Sequence, residues 1–343
     1  MVLELTEFQP ATLRSFVQNV QNQNEYRLAS AFPDEQVFDD KFVYNIIKGT
    51  PVIASKVTGF NSSAPIRSMA EAEQVIGRMT KLQDAYYIDE ELDRKITAPR
   101  QGTNERGVAI QSALKNIGNL AIGVDDTVEY LRAKLVYDGI VEYSDPWTQT
   151  KVSFEVNRPD GNNITVATPW SDGTSNPFED LREAVAQYQT ATESNKMPDR
   201  VDIAPDVEAT LLGHPFVKQM VYGSSEDGRM VDAGQLQTLF TRMQLPQYYV
   251  NRDATTFEDI VDGERTTVRR QHLESGKVVL YDNEMGSTAR GDVKVNGTYQ
   301  HGKFVDAYVE KNPETETVIV GEAVIPALKA VNNNVIMQVL GTP

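Results

Sequence analysis

The sequence predicts an α+β fold in which one helix is far longer than the rest. Three observations carry that expectation. An unbroken apolar stripe runs from Asn104 to Gly139, strand-like segments flanking Pro/Gly/Asn turns follow it, and between residues 200 and 306 short helical and strand-like stretches alternate.

In the long stretch the apolar residues are Ile110, Leu114, Ile117, Ala121, Val124, Val128, Leu131 and Leu135, alternating steps of four and three. That is one continuous helical stripe. Thr103 or Asn104 is placed to cap its first free backbone donors, and Gly139 to end it in a left-handed turn. At 1.5 Å per residue the helix is roughly 50 Å long, beyond the diameter of a small domain. Gly107, Gly118 and Gly123 each cost about 1 kcal/mol against alanine, so tertiary contacts must hold it. Such a stripe predicts a helix lying across a sheet of its own subunit in preference to a coiled coil with another chain. Its length implies a flat, extended subunit.

Residues 1–48 look like an arm: Thr6 to Tyr26 fits a helix with Leu13, Phe16, Val17 and Val20 on one side, while Gln18 to Asn24 is too polar to bury well. The arm is either a frayed terminus or a segment that orders on a neighbour. From Pro51 to Asp84, Val52–Thr58 is strand-like, Gly59–Pro65 is turn material, and Met69, Ala72, Ile76 and Met79 match helical spacing as well. An extended two-stranded projection is the expectation, with an ordinary surface hairpin as the alternative.

After the long helix, Ile140–Tyr143 reads as a strand, and Lys151–Val156 with Ile164–Ala167 reads as a hairpin around Pro159-Asp160-Gly161. A domain boundary is placed near Trp170. Asn176-Pro177 opens a helix to about Thr192, with Phe178, Leu181, Val185 and Tyr188 at helical spacing. A compact α/β lobe follows: strand Val201–Ala204, helix Pro205–Leu212, helix Asp232–Met243, and strands at Gln247–Asn251, Arg265–Arg270 and Lys277–Tyr281. The tail is strand-rich, at Phe304–Glu310, Glu316–Val320 and Val335–Leu340, with a turn at Asn312-Pro313.

Composition bounds the function. With 343 residues, 40% of them hydrophobic, the chain has material for one large or two modest domains. The 33 basic against 49 acidic residues give a formal charge of −16, and no Lys/Arg cluster forms a nucleic-acid groove, so tight direct DNA binding is not expected. The absence of cysteine removes disulfides, thiolate nucleophiles and cysteine-ligated zinc. No signal-like segment or apolar run near 18 residues is seen, so neither secretion nor membrane insertion is expected, and the chain belongs in a cytoplasm-like compartment.

Catalytic patterns are sparse. His214, His272 and His301 lack metal-helix spacing, and there is no phosphate-binding glycine loop, dinucleotide fingerprint or nucleophile elbow. Asp125 with Asp126, Asp89 to Glu91, and Glu226 with Asp227 could supply an acid and a base, or oxygen ligands for Mg²⁺ or Ca²⁺. A solvated charged face explains them more simply. No cofactor or metal site is expected.

The order of the pieces resembles a known family. The run "YYIDEELDRKITAPRQGTNER" at Tyr86 to Arg106, the helix ending "EYLRAKLVYDGIV" at Glu129 to Val141, "TPWSDGTSNPFEDL" at Thr168 to Leu181 and the tail "GEAVIPALKAVNNNVIMQVL" at Gly321 to Leu340 resemble a tailed-phage major capsid protein of the lambda head-protein (E) family. The resemblance implies a Hong Kong 97-like capsid fold. It assigns residues 1–49 to an N-terminal arm, 50–84 to an extended loop (the E-loop), and 85–170 to a peripheral domain with its spine helix at 104–138. Residues 171–311 become an axial domain, and 312–343 the return strands of the peripheral domain.

By the same resemblance the protein is not an enzyme but a head protein that self-assembles as pentamers and hexamers. The icosahedral shell encloses double-stranded DNA without sequence-specific binding. A separate scaffold protein and a portal are implied, with assembly in the host bacterial cytoplasm and the virion capsid as destination. Leu13, Phe16 and Val17 of the arm and Val57, Phe60, Ile66 and Met69 of the loop are the subunit-interface candidates. Removing residues 1–48 is expected to leave a folded monomer that cannot close shells. The alternatives are an encapsulin-like cargo shell and a soluble acidic hydrolase using paired carboxylates.

Overall fold

The computed structural model describes residues 2–20, 22, 25–38, 41–46, 73–99, 104–144, 151–156, 158–226, 228–261, 264–311 and 314–341. In chain order its helices are α1 (Pro10–Gln18), α2 (Glu90–Thr97), α3 (Glu105–Tyr137), α4 (Pro177–Thr192), α5 (Pro205–Gly213), α6 (Pro215–Tyr222) and α7 (Ala233–Arg242). The strands are β1 (Asp34–Gln36), β2 (Lys41–Ile46), β3 (Glu73–Arg78), β4 (Lys81–Ile88), β5 (Ile140–Ser144), β6 (Lys151–Glu155), β7 (Asn163–Thr165), β8 (Arg200–Ile203) and β9 (Tyr248–Val250). They continue with β10 (Ala254–Val261), β11 (Glu264–Gln271), β12 (Lys277–Tyr281), β13 (Gly286–Val295), β14 (Thr298–His301), β15 (Phe304–Lys311), β16 (Glu314–Leu328) and β17 (Asn334–Gln338).

The chain divides into two compact units. Unit 1 comprises residues 1–43, 76–131 and 287–327, and unit 2 comprises 44–75, 132–286 and 328–343. The limits drawn from the sequence at 170 and 311 therefore fall inside a unit.

Unit 1 is built on a six-stranded sheet ordered β1-β13-β16-β15, with β14 paired to β13 and β4 paired to β16. The long β16 carries β15 along one side and β4 along the other. Because successive strand residues face opposite ways, Val318 and Val320 point to one side. There they pack with Ile88, Val305 and the α3 residues Ala109, Ala113, Ile117 and Ala121. Unit 2 holds a five-stranded sheet, β7-β17-β12-β8-β9, and the two-stranded ladders β5–β6 and β10–β11. Helix α4 packs on it, and Phe178, Leu181, Val185 and Tyr188 are all buried, as their spacing predicts, with the Phe178 ring against Phe216 of α6 and Phe240 of α7.

Local chemistry sets the ends of these helices. Asn176 accepts from the Glu179 N–H ahead of Pro177 at the first turn of α4, and Asp232 with Gln235 closes a reciprocal capping box at α7. Helix α3 ends as its sequence predicts: Gly139 takes φ +74° and its N–H donates to the Lys134 carbonyl. Of the stripe residues, Ile117, Ala121, Val124, Val128, Leu131 and Leu135 are buried, and Ile110 and Leu114 half-buried. Over its last third the helix is buried all round, Glu129 and Arg132 included, which periodicity does not reveal.

Lys151–Val156 and Ile164–Ala167 do not pair with each other: β6 pairs antiparallel with β5, and β7 runs parallel to β17. The Pro-Asp-Gly segment is a turn, formed as a 3-10 helix over Asp160–Asn162, but the partners are chosen by tertiary packing. The arm helix spans Pro10–Gln18 and not Thr6–Tyr26, because Thr6–Phe8 form a 3-10 turn ahead of Pro10 and the polar run after Gln18 ends it. Helices α2 and α6 and strands β1, β2, β10, β13 and β14 have no counterpart among the elements that the sequence predicts. The strand expected at Glu316–Val320 extends to 15 residues through Pro326. Of the two-stranded projection expected from Pro51 to Asp84, Val52–Thr58 and Gly59–Pro65 lie outside the described residues; β3, in its return leg, pairs with β2, which lies in the segment read as the arm.

Candidate assembly surfaces

The arm is fastened to unit 1 by carboxylates. Glu316, 5% exposed, accepts from the backbone N–H groups of Val2 (2.8 Å) and Leu3 (2.6 Å), which as the first turn of a helix lack internal partners. On α3, Glu129 accepts from the Leu28 N–H (2.6 Å), Asp126 from the Tyr26 hydroxyl (2.7 Å) and Asp125 from Lys303 Nζ (2.6 Å). Burial and the Asp126 carboxylate push the Tyr26 hydroxyl well above its ordinary pKa, so it stays a donor. Strand β1 adds a parallel edge to β13, and the Ser287 hydroxyl donates to Glu35 (2.6 Å). Beside it Arg290 Nη1 donates to Glu322 Oε1 (2.5 Å), a carboxylate that is 1% exposed. Each acid has a structural partner of its own.

The arm candidates are thus placed by their own chain. Leu13 and Val17 are fully buried in the unit 1 core with Val2 and Phe8. Phe16 retains 36% of its surface and lies against Gly118 of α3, where a Cβ would stand 3.5 Å from its ring. Removing residues 1–48 would therefore strip apolar cover from unit 1, so the expected folded monomer is not an outcome this packing supports. Val57, Phe60, Ile66 and Met69 lie outside the described residues.

Among the described residues, the acidic pairs and histidines singled out in the sequence do not converge into a catalytic constellation. Asp89 accepts from the Leu92 N–H as the cap of α2, and Glu91 pairs with Lys95 (2.6 Å). Glu226 is exposed, and Asp227 lies outside the described residues. Ser175 Oγ lies 3.0 Å from His214 Nε2, the nearest approach to a nucleophile and base. Yet His214 Nδ1 accepts from the Phe216 N–H, so Nε2 carries the proton and faces Ser175 as a donor. Burial holds the His214 pKa below its ordinary value, which favours this neutral form. Asp202 is a fully buried carboxylate, but it accepts hydrogen bonds from Tyr137 (2.6 Å) and Tyr281 (2.8 Å) as part of the unit 2 core. Among the described residues no group of three or more His, Asp or Glu could hold a metal ion, and no helix is long and apolar enough to cross a membrane.

Two exposed faces were not singled out from the sequence. In unit 2 the β10–β11 ribbon presents Ile260, Arg265 and Arg269, and in unit 1 the outer face of β4 and β15 presents Tyr87 (61% exposed) and Tyr308 (40%). Thr/Arg alternation in "ERTTVRRQ" was the available signal for the first. Strand pairing decides the second.

Comparison with known proteins agrees with this architecture. A putative capsid protein of a prophage of E. coli CFT073 superposes with a TM-score of 0.59 at 14% identity, covering 96% of this chain and 98% of that one. A phage-related protein from Bordetella bronchiseptica RB50 gives 0.55 at 13% identity, with 97% of each chain covered. The Satellite phage P4 procapsid, in a structure that includes the size determination protein, gives 0.50 at 10% identity, covering 97% and 99%. The Hong Kong 97-like fold agrees with these neighbours. No curated protein sequence matches the chain. The family model described as "Phage major capsid protein E" matches residues 9–337. This chain belongs to the phage major capsid protein E family, and its role is that of a structural shell protein.

Proposed function

We propose that copies of this chain assemble as pentamers and hexamers into an icosahedral head that encloses double-stranded DNA without reading its sequence. A separate scaffold protein and a portal take part, and assembly occurs in the host bacterial cytoplasm. The observation that carries this reading is the family match over residues 9–337, which spans both compact units. Many weak contacts between identical copies make a closed shell stable while each contact stays reversible. The formal charge of −16 keeps free subunits soluble, and it suits a wall that must not adhere to packaged DNA.

Within this reading unit 1, with its six-stranded sheet and α3 as far as Leu131, takes the peripheral role. Unit 2, with its five-stranded sheet and α4 to α7, takes the axial role. Residues 50–84 supply the extended loop, and Val57, Phe60, Ile66 and Met69 its contacts with a neighbour. Phe16 is the arm residue with surface left to offer.

Electron microscopy of the purified protein, alone and co-expressed with a scaffold, tests the proposal. Rings, tubes or closed shells are expected. Discrete monomers under both conditions sink it, and particles filled by a cargo protein in place of DNA replace the DNA-container reading with the encapsulin-like one.

A further inference from the structure

The β10–β11 ribbon has two unlike faces. Thr255 is buried, Phe257 and Val268 are half-buried, and the Arg270 guanidinium lies 5.3 Å over the Phe257 ring, so this side is packed at home. The opposite side carries the directly paired Ile260 and Arg265, and Thr256 paired with Arg269, all exposed. A two-stranded ladder by itself is marginal in water, and an exposed isoleucine beside an arginine gains from being covered.

The outer face of the unit 1 sheet has the opposite character. Tyr308, Thr317 and Tyr87 form one row across β15, β16 and β4. Thr317 between the two exposed tyrosines is fully buried, and its hydroxyl has no hydrogen-bond partner among the described residues. One row further on the same face stands the exposed Glu310, opposite Thr315, and the chain leaves β4 through Asp89-Glu90-Glu91.

We propose that the exposed face of the β10–β11 ribbon of one copy docks on the Tyr87–Tyr308 face of a second copy of this chain. Arg265 and Arg269 would meet Glu310 and stack on the tyrosine rings, and Ile260 would lie between them. Tyrosine and arginine are the side chains that most often anchor protein interfaces. Charge complementarity selects the occupant: a copy carrying −16 offers the acidic partner surface. A DNA duplex fits the ribbon less well, because Glu258 shares the arginine face and two guanidinium groups make no basic track. The proposal rests on the shell-forming reading and identifies one of its contacts.

The cysteine-free chain makes the test direct. One batch carries I260C and a second carries Y87C or Y308C; the two are mixed under mild oxidation, with a short thiol-to-thiol cross-linker in parallel, and covalent heterodimer is read on a denaturing gel. Heterodimer is expected in at least one pairing. It should fall at least tenfold when R265E and R269E are added to the ribbon chain, and return when E310R is added to the other. Circular dichroism confirms that each variant is folded. Absence of heterodimer in both pairings overturns the proposal, as does heterodimer indifferent to charge reversal or a ribbon that instead retains double-stranded DNA. Shells without the cross-link refute this contact alone, and the cross-link without shells refutes the head-protein reading alone.

Discussion

The guanidinium of Arg158 occupies the space beside Gly139 that a side chain there would fill, so the turn ending the long helix and the arginine behind it fit only together. Arg158 Nη1 donates to Asn334 Oδ1 (2.6 Å), and Asn334 Nδ2 donates in turn to the Val136 carbonyl (2.9 Å), one of the carbonyls the helix end leaves open. Burial lowers the Arg158 pKa to about 10, partly offset by Asp138, so it stays cationic at neutral pH and faces the negative end of the helix dipole.

Gly139→Ala should destabilise unit 2 by about 2–4 kcal/mol, combining the left-handed backbone cost with displacement of Arg158. Gly123→Ala, where nothing lies within 4 Å of the added methyl group, should stabilise α3 by about 1 kcal/mol. Denaturant unfolding of both variants checks the pair. Equal effects of the same sign would show that helix propensity alone governs both sites.

Glu316→Gln should loosen the first residues of the arm. The substitution keeps the shape of the side chain but leaves one neutral acceptor and turns an amide donor toward the other N–H, at a cost of about 1–3 kcal/mol. Limited proteolysis should then cut ahead of Pro10 sooner than in the parent, with the rest of unit 1 intact. Unchanged cleavage would mean that Phe8, Leu13 and Val17 hold the arm without help from the carboxylate.

Acidification should weaken the N-terminus of α6. The folded His214 pKa lies below the ordinary value of 6.5, so as pH falls the unfolded chain takes up the proton first. Stability present above about pH 6.5 is therefore lost as pH drops toward the folded value. His214→Asn keeps a capping acceptor and has no proton to gain. Its thermal midpoint should fall less between pH 7.5 and 5 than that of the parent, and parallel curves would rule out His214 as the sensor.

A second acid response has a lower window. Lys134, Asp138, Glu274 and Lys277 form a closed ring of ion pairs, with Lys134 and Lys277 each 3.0 Å or less from Glu274. Burial raises the Glu274 pKa, but hydrogen bonds from Lys277 and Lys134 outweigh it and bring the value to about 2. The ring's contribution is complete above about pH 4.5 and lost as pH falls toward 2. Glu274→Gln should flatten the stability curve in that window and leave the His214 response unchanged. Loss of the His214 response as well would show that the two are one transition.

By itself the sequence determined the length, period and exit of the helix at Asn104 to Gly139, the capped starts of the helices at Asn176 and Asp232, and the order of segments by which the family is recognised. These depend on neighbours within a few residues, so periodicity and capping chemistry expose them. Tertiary structure alone decided that Lys151–Glu155 and Asn163–Thr165 join different sheets, because strand partners are set by burial across long separations. It also decided that Leu13 and Val17 serve the core of their own chain, that Asp126 and Glu129 hold the arm, and that Asp125 pairs with Lys303 ahead of β15. An apolar stripe or an acidic pair reads alike whether it faces a neighbouring copy, solvent or its own fold. The row Tyr308, Thr317, Tyr87 joins residues more than 200 positions apart in the chain, and only the register of β16 between β15 and β4 brings them together.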